Sequence, residues 1–423
     1  MTDDPRFPKR DILCIDCKSF FASVECAERG LDPMTTKLCV VSRAHLKGGL
    51  VLAASPRMKA EYGVKTGTRV FELPKRDPGI VLVPPRMGLY VQRNQEIVRL
   101  FLQFVAPEDC HPYSIDEAFL DITRSHALFG STYQIARRIQ TEVMKHYGIP
   151  TCVGIGDNML LAKLALDNAA KKKPPYLAYW SYKRVPETLW KMDNLSDFWG
   201  IGSRTKATLE RLGIYTVKQL AHADPRKLKR HFGVLGLELY HHANGLDGSL
   251  IHQPYQEVSK SYGASQILER DYWSMEELAL VLREMAEQVA ARLRKGHQLA
   301  GELSLFIGYA HEEIPRHSGG QMQIEATDAS HKIIEGAIYL LKKHYLPQPV
   351  RSIGISAGKL RPKDYQQLSL FEDVEEVKEQ EALDKAVDKI RERYGFGSLV
   401  HASSLLPGAT AIKREGLIGG HKE

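Results

Sequence analysis

Tyr113–Ile122 reads YSIDEAFLDI, and the organisation of the chain is best understood from this stretch. Its apolar and polar residues alternate, which predicts strands of a β-hairpin. Asp116 and Glu117 stand side by side between apolar residues. Two neighbouring carboxylates are costly to bury unless a cation or a metal ion compensates their charge. The stretch therefore predicts a cation-binding site, and the alternative is an exposed turn with a solvated acid pair.

A second acidic site lies upstream in Ile12–Glu25, ILCIDCKSFFASVE. Its first four residues are apolar and predict a buried strand that ends at Asp16. Ser19 is then a candidate N-cap for a helix that ends near Gly30. Free backbone N–H groups and the helix dipole attract anions, so a strand end before a helix N-terminus favours bound polyphosphate.

Asp16, Asp116 and Glu117 could together hold two Mg²⁺ ions, which would clamp the attacking and leaving oxygens of an in-line phosphoryl transfer. Both segments resemble the catalytic motifs of the Y-family DNA polymerases, the translesion group that includes the DinB and UmuC types. Gly148–Ala165, GIPTCVGIGDNMLLAKLA, is similar to the next palm segment of that family. Within the family, the chain looks closest to the UvrX-like branch of Gram-positive bacteria.

The resemblance spans most of the chain and implies an α+β multidomain protein. It implies a ferredoxin-like palm, small fingers, a helical thumb with a helix–hairpin–helix, and an α/β little finger. An order of strand, helix, two strands, helix and strand suits such a palm. The expected divisions are palm 10–30 and 84–170, fingers 31–83, thumb 171–248, little finger 256–364, and a tail 365–423. We expect the glycine-rich end of the tail to be flexible.

Composition is consistent with this organisation. The 423 residues exceed what one hydrophobic core normally holds, and the net charge of +7 is compatible with nucleic acid as a partner. Cys14 and Cys17 have CxxC spacing without a second pair, so the six cysteines are interpreted as buried thiols in a reducing compartment rather than a zinc site. No signal peptide or apolar run of spanning length is found, and a cytoplasmic protein without a membrane partner is expected.

The resemblance also implies roles around an incoming nucleotide. Asp16, Asp116 and Glu117 would be the catalytic acids and metal ligands, joined by the backbone carbonyl of Cys17. Lys18 stands where many relatives have a second acid. Phe21 would be the steric gate that excludes a ribose 2′-OH. The residues assigned to dNTP binding are Ser19, Phe20, Phe21, Arg57, Lys59 and Lys163.

Each of these assignments has a simpler alternative. Phe20 and Phe21 also fit the core face of an amphipathic helix. Arg57 and Lys59 fit a solvated basic face, and Lys163 fits an exposed helical lysine.

Two further segments indicate DNA and a protein partner. Gly200-Ile201-Gly202 looks like the turn of a helix–hairpin–helix, whose glycines let backbone N–H groups approach a phosphate. Gln366–Val374, QQLSLFEDV, resembles the peptide that binds the bacterial β sliding clamp. The clamp-binding residues would be Gln367, Leu368, Leu370 and Phe371. Candidate DNA-backbone contacts are Gly200, Gly202, Lys260, Arg294 and Lys359, with Lys295 and Arg361 as further basic residues.

The sequence therefore predicts a DNA-directed DNA polymerase for error-prone translesion synthesis in DNA damage repair, with the SOS response and a mutator effect as its setting. Its partners would be primer-template DNA, dNTPs, two Mg²⁺ ions and the β clamp, with RecA or accessory subunits as open candidates. One alternative is a catalytically silent, polymerase-like adaptor that binds DNA and the clamp, which the intact acids disfavour. Another is a two-metal nuclease, which Phe21 and Lys163 disfavour.

Overall fold

The computed structural model describes residues 6–42, 48–74, 77–253, 260–363, 373–417 and 420. The chain divides into two compact units, one within residues 1–255 and the other within residues 256–420. The strands are β1 (Ile12–Cys17), β2 (Leu38–Ser42), β3 (Leu50–Ala54), β4 (Val81–Val83), β5 (Cys110–Pro112), β6 (Glu117–Asp121), β7 (Thr151–Gly156), β8 (Leu177–Trp180), β9 (Tyr262–Tyr272), β10 (Gln298–Tyr309), β11 (His317–Thr327), β12 (Val350–Gly358) and β13 (Arg361–Pro362).

Helices connect and cover these strands. They are α1 (Phe20–Ala27), α2 (Pro56–Tyr62), α3 (Met87–Phe101), α4 (His126–Phe129), α5 (Thr132–Tyr147), α6 (Met159–Asn168), α7 (Ser203–Arg211), α8 (Val217–Ala221), α9 (Pro225–Phe232), α10 (Val234–Ala243), α11 (Met275–Lys295), α12 (Ser330–His344), α13 (Val374–Tyr394) and α14 (Ala411–Arg414). Within the described residues, no helix combines the length and the apolar character that crossing a membrane requires.

The centre of the first unit is a five-stranded sheet, the palm sheet, with the strand order β5-β6-β1-β7-β8. β1 is antiparallel to both of its neighbours, β6 and β7, and β8 is added parallel to β7. Without β8, the chain order is strand, helix, two strands, helix and strand, which is the ferredoxin-like arrangement. The predicted α+β fold class is therefore confirmed.

The turn between β1 and α1 differs from the prediction. Ser19 is the residue before the helix, but it has φ 51 and ψ 47 and its side chain makes no capping hydrogen bond. Ser23 Oγ instead donates to the Lys18 carbonyl over 2.6 Å, which closes the turn from inside the helix. The helix ends at Ala27, and the chain turns at Gly30 with φ 67, as the glycine predicted. The predicted capping role of Ser19 is therefore wrong, although the strand–turn–helix order is as expected.

Close packing of α6 on the palm sheet depends on two glycines of β7. A Cβ at Gly154 would lie 2.1 Å from the Ala162 carbonyl oxygen, and one at Gly156 would lie 2.2 Å from the Ala162 nitrogen. These distances are far inside normal van der Waals contact, so a larger residue would push α6 away from the sheet. The glycines therefore fix the position of α6 beside β1.

A small three-stranded sheet with the order β3-β2-β4 lies within the segment expected to form the fingers. α2 packs with it and begins at Ser55, whose side chain accepts a hydrogen bond from the Met58 N–H. It ends at Gly63, which has the left-handed φ of 64°. The sequence predicts a short helix here that ends at Gly63, and the structure confirms it; serine and glycine suit an N-cap and a C-cap.

Helices α7–α10 form a third, helical part of the first unit. Their apolar residues share a core with Leu160, Leu161 and Leu164 of α6. Before α7 the chain forms only a single 3₁₀ turn at Leu195–Asp197, and Gly200 has φ +91 in the turn that follows. The order expected for a helix–hairpin–helix is present here, although its first element is only a 3₁₀ turn.

The second unit is a four-stranded antiparallel sheet, with the order β11-β10-β12-β9, and two long helices. Both α11 and α12 contribute buried residues to a core with β10 and β12. The sequence pattern predicts helices at about 275–296 and 327–345 and strands around 303–307 and 353–357, and these elements are found in the structure.

The end of the tail, residues 409–423, was expected to be flexible, but the start of this stretch is bound to the second unit. Glu284 of α11 accepts hydrogen bonds from the backbone N–H groups of Thr410 (2.9 Å) and Ala411 (2.8 Å). Ala411 is 1% exposed. Because a buried carboxylate binds the start of α14, the segment is attached to the second unit.

Candidate active site

The three predicted acids lie at one end of the palm sheet. Asp16 is the next-to-last residue of β1 and lies directly opposite Glu117, the first residue of β6. The Cys17 N–H donates to the carbonyl oxygen of Asp116 over 2.8 Å, which holds the residue before β6 against the end of β1. Ser114 Oγ donates to the Asp116 carboxylate over 2.8 Å. The sheet register therefore brings together two segments that are a hundred residues apart in sequence.

Two lysines compensate the charge of these acids. Lys163 Nζ lies 2.7 Å from Glu117 Oε1, and both side chains are 9% exposed. Lys171 Nζ lies 2.9 Å from Asp16 Oδ2. The thiol of Cys14 also donates to Glu117 Oε1, over 3.0 Å. The carboxylate of Glu117 is thus held from two sides, and burying it beside Lys163 agrees with the need for a compensating cation.

Like charges and burial act together on Asp16. Burial raises the pKa of Asp16, Lys171 opposes this increase, and the negative charges of Asp116 and Glu117 add to it. Three carboxylates in this arrangement offer the hard oxygen donors that Mg²⁺ prefers. A divalent cation would also relieve their mutual repulsion, so the donor set fits such an ion. Within the described residues, however, no three acidic, histidine or cysteine side chains are already gathered into a ready-made metal cluster.

A cavity of about 830 Å³ lies beside the acids. Asp16 and Asp116 line it together with four basic side chains. An open space lined by both acids and cations suits a metal-bound polyphosphate. The basic residues are Lys18, Arg57, Lys59 and Lys171, and the remaining residues of interest are Ser19, Phe20, Phe21, Ile115 and Tyr176.

Phe21 lines this cavity with a ring that is supported from behind. It stacks on Tyr90 with centroids 4.4 Å apart and an interplanar angle of 15°. Tyr90 is fully buried, and its hydroxyl donates to Glu25 over 2.7 Å. Phe20 also lines the cavity, but it is only 3% exposed and packs in the hydrophobic core. Phe20 therefore matches the alternative prediction of a core residue, whereas the Phe21 ring is placed where a gate residue would be needed.

Lys163 does not line the cavity, because Glu117 and Asp167 hold its ammonium group at 2.7 and 3.0 Å. Lys171 does line it. Lys171 has no predicted role in the site, because it lies in a run of three lysines before two prolines at the expected boundary between palm and thumb. The signal that could have revealed it is its spacing of eight residues from Lys163, which places both lysines on one side of a helix and its extension.

The other basic residues of the cavity differ in their partners. Arg57 is exposed and pairs with Glu61 over 2.8 Å. Lys18 lies 4.0 Å above the ring centroid of Tyr176 and donates to the Lys171 carbonyl over 3.2 Å. Lys18 and Tyr176 had no assigned role in the sequence. Lys18 is a further basic residue of the cavity beside the predicted Arg57 and Lys59, and the Tyr176 ring lies against it.

The predicted DNA contacts fall into two groups. At Gly200 and Gly202 a Cβ would meet nothing within 4 Å, so their backbone faces open space. Lys260 and Lys359 are exposed, with Lys359 Nζ 3.4 Å from Glu302. Exposed backbone and lysine side chains of this kind can reach a phosphate.

Arg294 does not belong to that group. Its side chain is 10% exposed and donates to Asp388 over 2.6 Å and to the Asp328 carbonyl over 2.9 Å. Asp384 and Ser330 accept further hydrogen bonds from the same guanidinium. Because these acceptors occupy its donors, the structure does not support the prediction that Arg294 contacts DNA.

The remaining predictions concern the cysteines and the clamp peptide. All six cysteines lie in the described part of the chain and are free thiols, and five of them are buried. The interpretation of the CxxC pair as buried thiols is therefore confirmed. Gln367, Leu368, Leu370 and Phe371 fall outside the described residues.

Comparison with known proteins gives a consistent result along the chain. The impB/mucB/samB family matches residues 15–167, its helix–hairpin–helix motif matches 182–214, and its C-terminal domain matches 259–370. A Bacillus subtilis (strain 168) protein named for UV-damage repair, UvrX, is 42% identical over the whole of both chains. DNA polymerase IV of Moorella thermoacetica is 36% identical over 95% of this chain and 97% of its own.

A solved structure shows the same fold. A Y-family DNA polymerase chimera superposes with a TM-score of 0.67 and covers 84% of this chain and 100% of its own, at 22% identity.

Proposed function

Because the chain belongs to the impB/mucB/samB family, the Y-family of DNA polymerases, and is a DNA-directed DNA polymerase, we propose that it performs error-prone translesion synthesis in DNA damage repair. The observation that carries this proposal is that Asp16 pairs with Glu117 across the sheet, while Asp16 and Asp116 line a cavity that also contains four basic side chains. Acids beside cations are what a nucleotidyl transfer requires, because the reaction must bind a polyphosphate and polarise its reacting oxygens.

Family membership implies that the substrates are a DNA primer-template and dNTPs. A cavity of about 830 Å³ is of the size that binds a small ligand. In our proposal the β- and γ-phosphates are bound by Lys171, Lys59 and Arg57 together with the helix start at Ser19–Phe21. The ring of Phe21 packs under the sugar and excludes a 2′-OH. Lys163, first assigned to the triphosphate, is proposed to hold Glu117 instead.

Family membership also implies the use of a divalent metal ion. We propose two Mg²⁺ ions, held by Asp16, Asp116, Glu117 and the Cys17 carbonyl. When bound, these ions would lower the pKa of the primer 3′-OH and neutralise the leaving pyrophosphate. The residues of the chain contribute position and charge: β1 and β6 hold the acids in register, and Lys163 and Cys14 orient Glu117.

DNA binding is proposed at Gly200, Gly202, Lys260 and Lys359. Contacts of this kind go to the sugar–phosphate backbone and are independent of sequence. A polymerase that copies varied and damaged templates needs this type of binding. Its affinity for DNA should therefore fall steeply with salt.

A clamp interaction is proposed from Gln367, Leu368, Leu370 and Phe371. Leu370 and Phe371 would fill an apolar pocket of the β clamp, and Gln367 would make polar contacts. Replacing Leu370 and Phe371 by alanine should abolish capture by purified β clamp and leave clamp-independent extension unchanged. Undiminished capture would contradict the assignment.

RecA and accessory subunits are further candidate partners. We propose the cytoplasm as the location, because free cysteines suit a reducing compartment.

The adaptor alternative is not favoured, because Asp16, Asp116 and Glu117 are all present and lie together.

Translesion synthesis itself is tested by primer extension with Mg²⁺ across a template abasic site, beside an undamaged template. We expect extension past the abasic site by the wild-type chain. Efficient synthesis on the undamaged template with a complete stop at abasic sites and at UV photoproducts would contradict the translesion proposal.

A further inference from the structure

A continuous chain of ion pairs joins two of the catalytic carboxylates. Glu117 contacts Lys163 at 2.7 Å, and Lys163 contacts Asp167 at 3.0 Å. Asp167 contacts Lys171 at 2.9 Å, and Lys171 contacts Asp16 at 2.9 Å. Asp167 is the member of this chain that touches both lysines.

The geometry of α6 produces this arrangement. Lys163 and Asp167 are four residues apart, so they lie on one side of the helix. Lys171 follows after four more residues, in the 3₁₀ turn Ala170–Lys172 that continues α6. The contact from Asp167 shows that Lys171 remains on that side. Asp16 and Glu117 are direct neighbours across β1 and β6. The two ends of the chain of ion pairs therefore lie side by side at the end of the sheet.

The two lysines that contact Asp167 lie in different environments. Lys171 lines the cavity and is 34% exposed on its side chain. Lys163 is 9% exposed and faces Glu117. A lysine is a flexible point charge with many rotamers, so one carboxylate between two lysines restricts both. Without Asp167, each lysine would be held only by a catalytic acid.

We propose that Asp167 is a positioning residue of the polymerase reaction. It keeps Lys171 at the cavity wall for the phosphates of the dNTP, and it keeps Lys163 against Glu117. This inference depends on the proposed function, because it assigns Asp167 to the substrate and acid arrangement of the same site. Asp167 itself lies outside the set of residues that line the cavity and therefore acts through the lysines.

The kinetic test compares Asp167→Ala, Lys171→Ala and the double variant in single-nucleotide incorporation. Lys172→Ala is the matched control, because Lys172 is an exposed neighbour in the same lysine run. We expect Asp167→Ala to raise the KM for dNTP and to lower kcat/KM by about tenfold, as misplacement of a binding group does. The double variant should lose clearly less than the product of the two single losses, since coupled residues are not additive. Fully additive losses would overturn the proposal.

A second readout does not need polymerase activity. Limited acylation of the folded chain, followed by mass spectrometry, gives the labelling rate of Lys171 relative to Lys172. Asp167→Ala should increase this ratio several-fold, and an unchanged ratio would overturn the positioning role. DNA affinity and the unfolding midpoint of Asp167→Ala should remain close to those of the wild type. A wild-type chain that fails to extend any primer refutes the proposed function, and in that case the labelling ratio still decides whether Asp167 positions Lys171.

Discussion

At the scale of the single residue, Phe21 is the side chain that we propose as the steric gate. Its ring lines the cavity and cannot retreat, because Tyr90 stacks behind it at 4.4 Å and is itself held by Glu25. A ring that is fixed in this way should clash with a ribose 2′-OH. We therefore expect Phe21→Ala to increase incorporation of ribonucleotides relative to deoxyribonucleotides by about tenfold or more.

The measurement is the ratio of kcat/KM for a dNTP and the matching NTP. Phe71→Ala is a suitable control, since Phe71 is 53% exposed and lies outside the cavity. Its ratio should equal that of the wild type. If Phe21→Ala keeps the wild-type discrimination, the ring is a packing residue and not a gate.

The positions of the lysines show where residue-level prediction from sequence ends. Asp16, Asp116 and Glu117 were found because carboxylates among apolar residues are conspicuous, and the structure brings them together. Whether Lys163 or Lys171 faces the cavity depends on the direction of α6 over the sheet. That direction is set by contacts of Gly154 and Gly156 with the helix backbone, which no spacing rule contains.

At the scale of the element, α1 is attached through a buried acid. Glu25 is fully buried and accepts hydrogen bonds from Arg86 (2.7 Å) and Tyr90 (2.7 Å), and it also pairs with Arg29. Glu25→Ala would remove these acceptors. We expect the free energy of unfolding to fall by about 2–3 kcal/mol, less than the 3–5 typical of a fully buried pair, because both arginines are partly exposed.

The same acid gives α1 a defined pH dependence. Burial alone would raise the pKa of Glu25, but the hydrogen bonds from Arg86, Tyr90 and Arg29 outweigh it, and the pKa is lowered. A lowered pKa stabilises the fold above the pKa of the unfolded chain, and this stability is lost as the pH falls through the folded value. The stability gap between wild type and Glu25→Gln, measured by urea unfolding, should therefore narrow as the pH falls below about 4.5. A constant gap would contradict this account.

The C-terminal segment offers another test at this scale. Glu284 binds the N–H groups of Thr410 and Ala411 at the start of α14. Glu284→Ala leaves these buried donors without an acceptor, so we expect a loss of about 1–3 kcal/mol in the second unit. Glu335→Ala, at an exposed acid of α12, is the matched control in thermal unfolding. Equal midpoints for the two variants would show that the segment is not attached through Glu284.

Elements were predicted better than the contacts between them. α2, α11 and α12 were expected near their observed positions, because a helical pattern of residues is a local signal in the sequence. The attached tail was not expected, since its glycine-rich sequence carries no local signal for packing on Glu284. The engagement of Arg294 by α13 likewise depends on a long-range ion pair that sequence does not display.

At the scale of the whole molecule, the two units contain different parts of the proposed binding sites. The unit within residues 1–255 contains the acids, the cavity and the glycine turn at Gly200. The unit within 256–420 contains a second sheet and the exposed Lys260 and Lys359. Composition and length indicated several domains, and the family match extends across both units.

The measurement that tests the central claim most directly is templated incorporation of one nucleotide with Mg²⁺, with pyrophosphate quantified in the same reaction. Wild type and Asp193→Ala, an exposed acid outside the site, should each release one pyrophosphate per nucleotide added opposite the correct template base. Asp116→Ala should bind primer-template with normal affinity and release none. Incorporation by Asp116→Ala at the wild-type rate, or DNA cleavage without pyrophosphate by the wild type, would contradict the assignment of a metal-dependent polymerase site to Asp16, Asp116 and Glu117.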